Sequence, residues 1–198
     1  MLDGRLRRKR NKSMVYRKIT DNLALELVSP FNAEVLFDLI EKNRTYLSEY
    51  LTWVDETKSS ETIIENTKNT LKSFSEKTGI GYVINLKNEI VGRISLWLNN
   101  KNANIYEIGY WIIEEKSNQG IMTLCVNEIM KIGIEYFDIE KFEIDCIVEN
   151  IGSNKIAKKL GYKLEGTKRS AIKVNNRTYD MNQYGILKNE YIEIGKSI

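Results

Sequence analysis

From Val15 onward, apolar and polar residues alternate in two short runs, VYRKIT (15–20) and LALELV (23–28), separated by Asp21-Asn22. Alternation of period two around turn-forming residues predicts a first strand pair. The period then lengthens. Pro30 stands at a helix entry before FNAEVLFDLIEKN (31–43), where Val35, Leu36, Leu39 and Ile40 fall on one face. RTYLSEYLTWV (44–54) reads as a second, short helix with unusual aromatic content. SSETIIENTKNTLKSFSEK (59–77) reads as a longer one, striped by Ile63, Ile64, Thr67, Leu71 and Phe74.

At Gly79 the period returns to two. GYVINLK (81–87) and IVGRISLWL (90–98) flank Asn88-Glu89, a hairpin signal, and NIYEIGYWIIEE (104–115) adds a third strand. A helix over 120–137 follows, apolar on most sides (Met122, Cys125, Val126, Ile129, Met130, Ile134, Phe137), as a helix packed against a sheet must be. KFEIDCIV (141–148) is the next strand. A strand–helix–strand crossover makes 106–113 and 141–148 a parallel pair. NIGSNKIAKKLG (150–161) is a short helix with Gly161 as its stop, and YKLEGTKRSAIKV (162–174) with RTYDMNQYGIL (177–187) closes the chain as a hairpin around Asn175-Asn176. These elements predict an α+β fold.

Composition narrows the function. The 198 residues are 42% hydrophobic and 29% charged, ordinary for a globular protein. No stretch approaches the ~20 apolar residues of a membrane span, and no signal-peptide apolar region follows the basic start, so the expected location is cytoplasmic. Histidine is absent, which removes Ser-His-Asp and Cys-His catalysis and the commonest zinc ligand. Cys125 and Cys146 each sit in an apolar run and read as buried thiols. The net charge of +3 is unevenly placed: Arg5, Arg7, Arg8, Lys9, Arg10 and Lys12 against Asp3 put +5 into residues 1–13, leaving −2 for the other 185. Residues 1–13 therefore read as a basic, disordered arm, with RNA as a partner it leaves open, and 14–198 as one folded domain.

The chemistry centres on EEKSNQGIMTLCV (114–126), where a strand gives way through a glycine turn to a helix. The first N–H groups of a helix lack internal partners and carry partial positive charge, so this junction is suited to phosphate. A Walker loop and a dinucleotide fingerprint are both absent. What remains is a phosphate cradle after one strand of a parallel pair, facing a second helix that starts at Asn150 after the other strand. Sheets bind ligands where neighbouring strands part at their carboxyl ends, and two converging helix starts suit a pyrophosphate-bearing cofactor with a long arm.

EIGYWIIEEKSNQGIMTLCV, VENIGSNKIAKKLGYKLEGTKR and YDMNQYGIL, in that order, resemble the GNAT acetyltransferases, in particular the RimJ/RimL-type protein N-terminal acetyltransferases. NRTYLSEYLTWVDE is similar to that subfamily's aromatic substrate-side helix, and the likeness covers roughly residues 14–190. The resemblance implies a mixed, mostly antiparallel sheet with a splayed parallel pair and helices on both faces. It implies acetyl-coenzyme A as cosubstrate, with its pyrophosphate on the backbone of Asn118, Gln119, Gly120, Ile121, Met122 and Thr123. The pantetheine arm would lie along Trp111, Ile112 and Ile113, and Asn150 and Ser153 would face the arm and thioester. Tyr46, Tyr50 and Trp53 would wall the acceptor side. Read from the residues themselves, Ser153 would assist the departing thiolate, and Glu107, on one strand face with Gly109 and Trp111, is either a solvated or salt-bridged strand residue or the group that takes the amine's proton.

Backbone donors near Ile112 and Ile113 would face the oxyanion. Ser117-Asn118 departs from the usual loop, and Ile172 stands where a glutamate is sometimes assigned as base. Capping alone accounts equally for Asn150 and Ser153, and ordinary packing for the aromatic trio.

An α-amine, of pKa ~7.7–8.0, is roughly a tenth neutral at pH 7, against ~0.04% for lysine at ~10.4. With no histidine, that favours an α-amine or a small low-pKa amine over lysine side chains, and the resemblance implies a protein N-terminal α-amine of ribosomal-protein type as acceptor. A polyamine or aminoglycoside acceptor, or a non-catalytic acyl-CoA- or RNA-binding protein, is the alternative. No metal or membrane partner is implied; a homodimer is compatible with the resemblance.

Overall fold

The computed structural model describes residues 13–196. The basic arm expected over 1–13 falls, except for Ser13, outside the described residues. β1 (Tyr16–Lys18) and β2 (Leu23–Leu27) form the expected first pair. A 3-10 turn at Pro30–Asn32, capped by Ser29, leads into α1 (Ala33–Lys42). Within α1, Ala33, Leu36 and Ile40 are buried, whereas Val35 is 47% exposed. The inward face is therefore rotated from the expected one: 33, 36 and 40 lie on the stripe that meets the sheet, and 35 lies off it.

The aromatic segment 44–54 is not one helix. α2 (Arg44–Leu47) ends after one turn, and a separate 3-10 turn spans Thr52–Val54. Arg44 ties the bend, donating from Nη2 to Thr57 O at 2.7 Å and from Nη1 to Val54 O at 2.5 Å. α3 (Ser60–Ser75) follows, burying Ile63 and Thr67 along the expected stripe.

β3 (Gly79–Leu86), β4 (Glu89–Asn100) and β5 (Ile105–Ile112) form an antiparallel meander. Its first turn is Lys87-Asn88, both at positive φ (53° and 69°), one residue earlier than the hairpin signal placed it. α4 (Ile121–Tyr136) crosses over to β6 (Lys141–Ile147), which pairs in parallel with β5. α5 (Ile151–Lys159) and the hairpin of β7 (Lys163–Val174) and β8 (Arg177–Leu187) follow, with Asn175 and Asn176 at φ 47° and 63° in the turn. A last helix, α6 (Lys188–Lys196), was not expected from the sequence. Its Tyr191 hydroxyl reaches Asn127 O (3.1 Å) and Oδ1 (2.8 Å) on α4.

Among the described residues the eight strands make one sheet in the order β1-β2-β3-β4-β5-β6-β8-β7. The helices cover both faces. On one, Arg93 of β4 donates from Nη2 to Thr70 Oγ1 of α3 at 2.7 Å. On the other, Gly133 of α4 closes onto Phe142 and Ile139, where an added Cβ would meet ring and methyl atoms at 2.8 Å. Arg17 of β1, 4% exposed, anchors the same helix by ion pairs to Glu128 (2.6 Å) and Glu135 (2.9 Å). No helix among the described residues is long and apolar enough to cross a membrane.

Candidate active site

The parallel ladder between β5 and β6 is short. Ile105, Tyr106 and Glu107 pair with Lys141, Phe142 and Glu143, and there it ends. Beyond it β5 runs on to Ile112 along β4 alone, and β6 to Ile147 along β8 alone. The strands part at their carboxyl ends, where helices α4 and α5 both begin. A cleft of about 670 Å³ occupies the gap.

One wall is the turn into α4. Asn118 and Gly120 both adopt left-handed backbone angles, φ 57° and 78°. Asparagine is among the side-chain-bearing residues that enter this region most readily, which explains how the loop tolerates Asn118. At Gly120 an added Cβ would meet nothing within 4 Å, so the glycine serves the backbone angle and leaves open space in front of the helix. The first helical donor to find a carbonyl is Leu124 N, on Gly120 O at 3.2 Å. The N–H groups of Ile121, Met122 and Thr123 precede it and have no intrahelical acceptor, a ready anion cradle. Gln119 steadies the turn by donating from Nε2 to Glu115 O at 2.8 Å. Lys116, Lys155 and Lys159 also line this cleft.

The facing wall is the turn into α5. Asn150 caps that helix, its Oδ1 accepting from Ser153 N at 3.0 Å. Buried Asn154 holds the turn beneath it. Its Nδ2 donates to the carbonyls of Ile147 (3.0 Å) and Asn150 (2.8 Å), and its Oδ1 accepts from Tyr184 Oη and Asn182 Nδ2, each at 2.8 Å. The Ser153 hydroxyl lies 2.9 Å from that of Tyr110, on the parting strand β5. Cys146 is buried and free, and burial pushes its thiol up to about 11 while Ser153 draws it back.

The remaining wall is formed by the α2 segment and the β7–β8 hairpin. Tyr46 and Tyr50 line the cleft; Trp53 instead supports it, its ring 6.3 Å from that of Trp111. The Tyr50 hydroxyl reaches Glu149 O at 3.4 Å, and Asn175 Nδ2 reaches Ser48 O at 3.0 Å, so the hairpin tip touches the aromatic segment over the gap. Ile172 lines the cleft with an apolar side chain.

Glu107 is half-buried at the end of the parallel ladder, outside the cleft lining, while Asp145 two residues along β6 from Glu143 is in it. The Glu107 carboxyl is pushed up to about 7, first by burial and then by the Asp145 and Glu143 carboxylates, with Lys168 opposing.

The structure thus brings Tyr46, Tyr50, Trp111, Ile112, residues 118–123, Asn150 and Ser153 to one cleft. Trp53, Ile113 and Glu107 stand behind it. One expected oxyanion donor is not free: Ile113 N donates to Val91 O at 2.9 Å. Strand alternation turns the Ile112 N–H the opposite way, into the gap. Sequence reasoning missed Tyr110, Asp145, Cys146 and the three lysines. Only the i, i+4 spacing of Lys155 and Lys159 on a helix starting at the gap offered a signal.

A family model described as an acetyltransferase (GNAT) domain matches residues 22–163. The putative ribosomal N-acetyltransferase YdaF of Bacillus subtilis (strain 168) is 27% identical over 178 residues, 88% of this chain and 96% of the relative. The ribosomal-protein-serine acetyltransferase of Escherichia coli (strain K12) is 28% identical over 167 residues, 84% of this chain and 93% of that one. Among solved structures, RimL, a ribosomal L7/L12 alpha-N-protein acetyltransferase in complex with coenzyme A, matches with a TM-score of 0.83 at 26% identity, over 87% of this chain and 97% of that one.

Proposed function

The chain belongs to the GNAT acetyltransferase family, an acetyl-CoA-dependent N-acetyltransferase, and from that premise we propose that its acceptor is a protein N-terminal α-amine of the ribosomal-protein type. The observation that carries the reading is the likeness, over most of the chain, to relatives named as ribosomal acetyltransferases, and the carboxyl of Glu107, raised to about 7 beside the parted strands, accords with it. A base of that pKa is matched to an α-ammonium of pKa ~7.7–8.0 and poorly matched to a lysine at ~10.4. The ribosomal-protein names of relatives spanning most of this chain support the same acceptor.

On this reading residues 14–198 act as one acetyltransferase domain in the cytoplasm, and residues 1–13 are an accessory arm. The pyrophosphate of acetyl-CoA rests on the backbone of residues 118–123, the pantetheine arm runs along Trp111 and Ile112, and Lys155 and Lys159 offer charge to the nucleotide end. The neutral amine attacks the thioester carbonyl directly, held between the Tyr46 and Tyr50 rings and the parting strands. Positioning supplies most of the acceleration. The Ile112 N–H faces the developing oxyanion, and the Ser153 hydroxyl donates a hydrogen bond to the departing thiolate. Glu107, which stands outside the cleft lining, receives the amine's proton through water.

The test is to incubate the protein with acetyl-CoA and a panel of acceptors: ribosomal-protein N-terminal peptides, their N-terminally blocked forms, lysine-bearing peptides, polyamines and aminoglycosides. Thiol release and mass spectrometry read the product. Acetylation of free N-terminal peptides above all others is expected. Turnover only on polyamines or aminoglycosides overturns the acceptor, and no turnover on any amine overturns the catalytic assignment.

A further inference from the structure

Tyr110 and Ser153 are 43 positions apart in the chain, on a strand and a helix that meet only across the cleft, and their hydroxyls lie 2.9 Å apart. Both side chains line the cleft. We propose that Tyr110 is a positioning residue for the acetyl transfer: its hydroxyl donates to Ser153 Oγ and leaves the Ser153 proton aimed at the thioester sulfur. The inference rests on the reading of Ser153 as the donor to the departing thiolate.

The direction of the hydrogen bond follows from what each group has left. The Tyr110 hydroxyl has no other protein partner among the described residues, so a bond donated by Ser153 would leave the half-buried phenol proton with only water in the cleft to accept it. Burial also raises the Tyr110 pKa well above the ordinary value, which keeps that proton in place throughout the neutral range. Serine near a helix start commonly turns its own proton back onto a carbonyl three or four residues earlier. Here those carbonyls are engaged: Asn150 O accepts from both Asn154 N (3.1 Å) and Asn154 Nδ2 (2.8 Å), and Glu149 O from the Tyr50 hydroxyl. Asn150 Oδ1 fixes the Ser153 backbone at the same time. The serine is thus held on its backbone side and accepts on its hydroxyl from Tyr110, and its proton is left for the cleft, where the Cys146 sulfur competes with the thioester sulfur for it.

The experiment is a double-mutant cycle of Tyr110→Phe and Ser153→Ala, with steady-state kinetics on an N-terminal peptide. Phenylalanine keeps the buried ring, and melting curves check that each variant is folded. Tyr110→Phe should lower kcat about tenfold, the worth of one hydrogen bond, with KM for acetyl-CoA within about twofold. In the Ser153→Ala background the same change should have no further effect on kcat. A Tyr110→Phe variant with full kcat, or one that loses the same factor with or without Ser153, overturns the role of Tyr110 alone. A Ser153→Ala variant with full kcat overturns the Ser153 reading itself, and the role of Tyr110 with it.

Discussion

Glu107 and Glu143 stand side by side as the last registered pair of the parallel ladder, at the point where β5 and β6 part. The Glu143 carboxylate discourages charge on Glu107. Glu143 is the better compensated, held by Lys141 Nζ at 2.8 Å and Asn99 Nδ2 at 2.8 Å. Among the described residues Glu107 has no hydrogen bond of that kind, and its carboxyl rises from 4.5 to about 7. The arrangement leaves a carboxyl that changes charge near neutrality beside the gap between β5 and β6.

Two consequences follow for Glu107→Gln. A base of pKa about 7 works only once it has lost its proton, so the variant's loss of turnover should grow as pH rises from 6 to 8, with acetyl-CoA affinity unchanged. Because the folded protein holds this proton more tightly than the unfolded chain, wild-type stability should fall as pH rises between about 4.5 and about 7, and the substitution should flatten that decline. Rate profiles and melting curves over this range check both. Profiles of the same shape in wild type and variant would remove Glu107 from the mechanism.

Gly120→Ala isolates the backbone angle from the space around it. The residue sits at φ 78° with nothing within 4 Å of the added Cβ, so the cost should be about 1–2 kcal/mol of stability with little direct obstruction. Gly120→Asp adds a carboxylate in front of the unpaired N–H groups and should weaken acetyl-CoA binding at least about tenfold beyond the alanine variant. Calorimetric titration of the two folded variants separates these effects. Equal affinities would move the pyrophosphate elsewhere.

Asn154→Ala should be more damaging than its distance from the acceptor suggests. The side chain joins the β6–α5 turn to Tyr184 and Asn182 of β8, and its loss leaves buried groups unsatisfied. A loss of about 2–3 kcal/mol is expected, with a raised KM for acetyl-CoA as the Ser153 turn loosens. Denaturant melts and kinetics check the pair of effects.

Arg17→Met should destabilise the protein by about 3 kcal/mol, since Glu128, 8% exposed, keeps only Lys131 at 3.1 Å. Arg17→Met with Glu128→Met should recover much of that loss, because no buried charge is then left unpaired. Chemical denaturation of the single and double variants tests this. A double variant no more stable than the single would show that the cost lies in the lost Arg17 contacts and not in an unpaired Glu128 charge.

A chain starting at Met14 should turn over a peptide acceptor at the full rate. Met14 itself is retained because its carbonyl accepts from the buried Tyr82 hydroxyl at 2.9 Å. Rates of both forms at rising salt check the arm: salt-insensitive turnover in both argues against an RNA role in this reaction, and lost turnover in the shorter chain makes the arm part of the site.

The sequence by itself determined the order and type of most elements, the parallel pair, and the strand–turn–helix cradle at Gly120. These depend on periodicity and on residues a few positions apart: the alternation of IYEIGYWI, the apolar helix from Ile121, and the asparagines that accept positive φ at 118, 175 and 176. Tertiary structure decided what depends on distant neighbours. Whether Val35 or Ala33 faces inward was set by how α1 meets the sheet, and the break at 48–51 by Arg44 reaching Thr57 and Val54. α6, whose sequence KNEYIEIGK is weakly patterned, docks through Tyr191 to Asn127, 64 residues away. Ile113 was withdrawn from the gap by its bond to Val91, and Tyr110 was delivered to Ser153 by a strand that had left its partner. The raised carboxyl of Glu107 needs burial and two acidic neighbours brought from β6. Periodicity records which face of an element is apolar, but hydrogen-bond partners and local electrostatics depend on which elements fold against one another, and no short stretch of chain contains that information.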